Sequence, residues 1–135
     1  MNKLCFLLFL LPVLSFGQNK ISIDVHEVPA SKGKISVAVY NSEEGFLKFD
    51  KVYKCDSIAA QKGITQLSIK DLPEGEYALA IFYDENGNDK LDTNWLGIPK
   101  EKVAFSNAKM KPFGPPKYKE CSFRVKSDIS MDISF

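Results

Sequence analysis

Tyr77-Ala78-Leu79-Ala80-Ile81-Phe82-Tyr83 is the stretch that decides how this chain folds. Every residue in it is apolar or aromatic, and Gly75 and Asp84 punctuate its ends. A run this short is brief for a helix but fits a strand buried on both faces, so it is read as the central strand of a sheet. Outward from it, apolar residues recur at every second position. Ile21, Ile23 and Val25 alternate with Ser22 and Asp24, and Ile35, Val37 and Val39 alternate with Ser36, Ala38 and Tyr40. Gln66–Ile69, Cys121–Val125 and the run Ile129, Met131, Ile133, Phe135 continue the pattern, and short strands are also expected at Phe46–Phe49 and Lys51–Lys54. Period-two alternation places one face of each strand on a core and the other in water. Apolar residues nowhere keep helical spacing over a dozen positions. The expected fold is all-β, an antiparallel sandwich of about seven short strands with one long Asp/Asn/Gly/Pro-rich loop.

The N-terminus reads Met-Asn-Lys, then an apolar run from Leu4 to Leu14, then Ser15 and Gly17 before the polar Gln18. That order matches a secretory signal peptide, and the run is shorter than the roughly 20 residues a membrane span needs. Residues 1–17 are therefore expected to be removed, leaving 18–135 as one domain, exported to the periplasm or beyond, with no transmembrane segment. Removing Lys3 leaves 17 basic and 17 acidic residues. A nucleic-acid binder would carry a basic excess, and an anionic-membrane binder a basic amphipathic helix. Neither pattern is legible.

One stretch, Asp84 to Pro116, is rich in Asp, Asn, Gly and Pro and shows no strong strand signal. Loops of that length in a compact domain are commonly functional or ordered by a ligand. Its start, Asp84-Glu85-Asn86-Gly87-Asn88-Asp89-Lys90-Leu91-Asp92, sets side-chain oxygens at Asp84, Asn86, Asn88 and Asp92. With the Lys90 carbonyl, this is the donor spacing of a calcium loop, and hard oxygen donors suit Ca2+. Asp89 stands where such loops have glycine, and Trp95 where they have a bidentate glutamate; Glu101 or Glu85 is the candidate substitute. The competing reading is a turn in which Asp and Asn side chains bond their own backbone.

Trp95, Phe105, Phe113 and Tyr118 lie in or beside the same segment, as a ligand platform or as pins that fasten the loop to the sheet. Cys55 and Cys121 remain after export, either as a disulfide worth roughly 3–5 kcal/mol or as two separate thiols. The single histidine, His26, alternates with Asp24 on a solvated face. No nucleophile elbow, phosphate-cradling glycine loop or His-containing zinc motif is present.

From Gly33-Lys34-Ile35 and Val37-Ala38-Val39-Tyr40, through Asp71-Leu72-Pro73-Glu74-Gly75-Glu76-Tyr77 and Asp84-Glu85-Asn86-Gly87-Asn88, the chain resembles an uncharacterised family of secreted bacterial proteins, domain of unknown function 2141. Leu91-Asp92, Leu96-Gly97-Ile98-Pro99, Phe105-Ser106-Asn107 and Gly114-Pro115-Pro116 extend the likeness over about 100 residues. It departs at Asp89 and Ala104, where the family tends to have glycine. The resemblance implies an exported sandwich of the broad transthyretin or carboxypeptidase-regulatory type and supplies no catalytic residues. The leading expectation is a non-enzymatic exported module, its long loop ordered around Ca2+ or packed alone, presenting a surface to a protein or glycan. A small-molecule or lipid carrier using the sandwich interior is the second, and a hydrolase using Asp84, Asp92 and Glu101 the third.

Overall fold

The computed structural model describes residues 18–135. The signal-peptide expectation concerns residues 1–17 and lies outside the described residues. Along the chain come β1 (Asn19–Val28), β2 (Lys34–Tyr40), a 3-10 turn (Phe49–Lys51), β3 (Lys54–Ala59), β4 (Gly63–Leu72), β5 (Gly75–Asp84), β6 (Val103–Phe105), the one-turn α1 (Tyr118–Cys121), β7 (Phe123–Val125) and β8 (Ile129–Ser134). Two sheets result, one ordered β4-β1-β8 and the other β3-β2-β5-β6, with β7 paired to the start of β5.

The alternating runs meet between the sheets. Ile21, Ile23 and Val25 of β1 share one core with Ile35, Val37 and Val39 of β2, and Leu67, Ile69, Leu79, Ile81 and Val125 complete it. The apolar β5 stretch is central, as its composition predicts. Leu79, Ile81 and Tyr83 belong to this core, while Ala78 and Ala80 belong to a second apolar cluster on the outer face with Tyr40, Phe105, Tyr118 and Cys121. Phe46 bridges that cluster edge-on to Tyr40 and Tyr118, ring centroids 5.4 and 5.7 Å away. At the start of β5, the Tyr77 hydroxyl donates to the Pro73 carbonyl at 2.7 Å. That bond back to the turn explains the Leu-Pro-x-Gly-x-Tyr motif as a corner that fixes where β5 begins.

The sandwich forms with eight strands rather than about seven, and one pair runs parallel: β8 lies beside β1 with Ile21 opposite Ile129 and Ile133 opposite Val25. No strand forms at Phe46–Phe49 or over residues 51–53, which are taken up by turns; the strand there is Lys54–Ala59. That edge strand buries no residue on either face, so it carries no alternation to read, and its Lys54 and Asp56 suit an exposed edge. Val103–Phe105 also adds to β5 inside the stretch read as strandless, where three residues are too few for a periodic signal. Cys121 belongs to α1, and the strand starts at Phe123.

Cys55 and Cys121 do not pair; both thiols are free. Cys55 sits opposite Ala38 on edge strand β3, whereas the Cys121 carbonyl is held by the Ser106 hydroxyl beyond β5. Two strand spacings of about 4.8 Å each intervene, beyond the reach of a disulfide. Burial pushes the Cys121 thiol up to about 11, an unreactive buried sulfur.

Candidate functional site

At its C-terminal end β5 delivers Asp84, fully buried, beneath the loop that follows. Its carboxylate accepts the backbone N–H of Asn88 at 3.2 Å and of Asp89 at 2.8 Å, wrapping the loop around itself. Gly33 presses on the same spot: a β-carbon there would lie 2.2 Å from the Asp84 carbonyl oxygen and 2.5 Å from that of Glu85. Asp89 takes the left-handed backbone, φ +61, at the position where calcium loops have glycine. Aspartate is among the residues that tolerate it, and Lys34 ties the Asp89 carboxylate at 3.0 Å.

Of the four oxygen-bearing side chains singled out in the sequence, Asn86, Asn88 and Asp92 bond one another, while the Asp84 carboxylate is bonded to the loop backbone. The Asn86 amide donates to Asp92 Oδ2 at 2.7 Å, and the Asn88 amide to both Asp92 oxygens at 3.0 and 3.2 Å. Their carbonyl oxygens face the backbone, Asn86 Oδ1 accepting from Asn88 N–H and Asn88 Oδ1 from Lys90 N–H. The self-bonded turn is thus fully realised, and oxygens directed at a cation would require both amides to rotate. Glu101, offered in the sequence as the substitute carboxylate, accepts the Asp92 N–H at 3.1 Å. Amide donors from Asn88 and Asn86 hold Asp92 below the ordinary carboxylate range. Burial first, then the neighbouring Asp92 and Asp84 charges, raise Glu101. Glu85, the other candidate substitute, is exposed.

From Asp92 the chain forms a small hairpin. Thr93 bridges Pro99, the Asn94 side chain caps the N–H groups of Leu96 and Ile98, and Trp95 stands at the tip. This hairpin and the 110–115 turn form two walls of an apolar cleft of about 670 Å³ on the outer face of the five-stranded sheet. Its floor is Ala38, Tyr40, Ala80, Phe82 and Phe105; Leu47 and Phe49 close another side. Small residues at 38 and 80 give the cleft its depth.

The predicted aromatic set divides. Phe105 and Tyr118 are buried pins, while Trp95 is 90 % exposed and Phe113 fully so at the cleft mouth. Of the three carboxylates of the hydrolase reading, Glu101 lines the cleft, and Asp84 is engaged by backbone. The apolar space lies outside the sandwich, not between its sheets as the carrier reading had it.

The sequence reading missed one cluster. Asp24 and Asp132 are direct neighbours on parallel β1 and β8, and His26 Nε2 lies 2.8 Å from Asp132 Oδ1. Ligand-type atoms of the three fall within 4.8 Å of one another. No local signal announces it, because residues 106 positions apart meet only through the parallel pairing.

Among the described residues no helix is long and apolar enough to cross a membrane. Searches among curated proteins and among solved structures returned no match. The model of the family described as an uncharacterised protein conserved in bacteria, DUF2141, matches residues 23–133, and the chain belongs to that family.

Proposed function

We propose that the domain is an exported, non-catalytic binding module that holds a small apolar ligand, such as an acyl chain, in the cleft above Ala38 and Ala80. The cleft itself carries the reading: its volume of about 670 Å³ lies in the range of small-molecule sites, and its walls are predominantly apolar with few polar groups at the edge. The N-terminal apolar run followed by small residues supports export. Each buried methylene contributes about 0.8 kcal/mol, so affinity should rise about fourfold per carbon until the cleft is full. Displacement of a fluorescent apolar dye by fatty acids of increasing length tests this. Ala38→Phe, which fills the floor, should abolish displacement. A dye signal insensitive to both chain length and Ala38→Phe would refute the reading.

A second reading rests on the oxygen-rich loop itself, in which Asn86 and Asn88 bond Asp92, the Asp84 carboxylate holds the loop backbone and Glu101 accepts the Asp92 N–H. In it, Ca2+ orders the loop, with the Lys90 carbonyl completing the set, and so fixes one wall of the cleft. Affinity would be modest, suited to the high calcium outside cells. Melting temperatures with millimolar calcium and with chelator decide it; identical values remove the metal.

A further inference from the structure

The described residues expose nine large hydrophobic side chains, and six of them gather around the cleft. Phe49, Ile98, Met110 and Phe113 line its mouth, and Trp95 and Leu96 crown the hairpin that forms one wall. An exposed apolar patch of this extent marks an interaction surface. Its charge is one-sided. The three bordering segments, residues 47–51, 91–102 and 109–119, carry eight lysines against Asp50, Asp92 and Glu101, although the whole chain has a net charge of +1. Lys111 is paired with Glu120, just past the third segment. With Glu120 counted as well, the eight lysines still face only four carboxylates, so the rim is basic.

Lysine is depleted where proteins bury surface against proteins, which argues against a protein partner here. Aromatic tips surrounded by lysines instead match a bilayer with acidic headgroups. Trp and Phe enter the headgroup boundary, and lysines extend their ammonium groups to the phosphates. We propose that this rim docks the domain on the surface of an anionic lipid bilayer, with Trp95 and Phe113 as the inserting side chains. The inference rests on the apolar-ligand reading for its purpose, since it makes the membrane the source of the acyl chain, but its measurement is separate.

Trp95 is the only tryptophan, so its emission reports the contact directly. The purified protein is mixed with vesicles of phosphatidylcholine alone or of phosphatidylcholine with phosphatidylglycerol, and followed by co-sedimentation and Trp95 emission. The expected result is a blue shift and sedimentation with the anionic vesicles, lost near about 1 M salt, where screening acts within about 3 Å. Each surface lysine contributes about fivefold to such binding, so Lys100→Gln with Lys109→Gln should weaken it about 25-fold. Phe113→Ser, at a fully exposed position that cannot disturb the core, should weaken it about tenfold or more. No shift with anionic vesicles overturns the proposal, as does binding indifferent to salt and to these variants. Dye displacement without vesicle binding would sink docking and leave the cleft reading intact; vesicle binding without displacement would do the reverse.

Discussion

Replacing Gly33 with alanine would strike the backbone that carries the loop, and the size of the loss follows from two separable effects. At φ +70 an alanine pays for the left-handed conformation, about 1–2 kcal/mol. Its β-carbon would also lie 2.2 Å from the Asp84 carbonyl oxygen and 2.5 Å from that of Glu85, both backbone atoms that yield only if the end of β5 moves. Forced repacking of that kind costs about 1–3 kcal/mol. Together the loss is roughly 2–5 kcal/mol, a large part of the stability of a domain this size. Gly63 supplies the control: its φ is +89, and a β-carbon added there would meet nothing within 4 Å, so Gly63→Ala should show the conformational cost alone. Urea unfolding of both variants, followed by circular dichroism, gives the comparison. Equal losses at the two positions would refute the claim that Gly33 is held by contact with Asp84 and Glu85.

Three further outcomes are expected. Glu101→Gln keeps an acceptor for the Asp92 N–H while removing a charge from a crowded site. Because the Glu101 carboxyl is raised by burial and by its neighbours, the folded state holds its proton more tightly than the unfolded chain, and its contribution to stability declines as pH rises through that range. The variant should therefore be more stable than the parent at neutral pH without metal, the gap closing below about pH 4; urea melts at both pH values check it. Asp92 has the opposite sign, since its lowered carboxyl contributes at neutral pH and loses that contribution on acidification. Tyr77→Phe removes the 2.7 Å bond to the Pro73 carbonyl and should cost about 1–2 kcal/mol in the same assay. A thiol reagent should label exposed Cys55 at once and buried Cys121 only on unfolding, and a reductant should leave the melting temperature unchanged. Failure to label either cysteine in denaturant would show a disulfide instead.

The polar turn was legible because it is local. Asp84, Asn86, Asn88 and Asp92 lie within nine residues, and Asp and Asn at that spacing reach the backbone and side chains of their own turn. Trp95 and Phe113 were readable as aromatics beside a loop, but their exposure was not, because the aromatics at 105 and 118 are buried. What separates them is whether a sheet face lies beneath, and nothing near either residue in the chain says so.

The sequence by itself determined most of the strands, the buried central run and the polar turn, since side-chain alternation and turn chemistry depend on neighbours a few residues apart. Tertiary structure alone decided that β8 joins β1 in parallel, that Cys55 and Cys121 stand apart, and that apolar side chains from three distant segments line one cleft. Alternation tells each strand which face to bury but not which strand to lie beside. That choice is settled by long-range packing, where two sheets must cover a common core and the loops must cover what the sheets leave open.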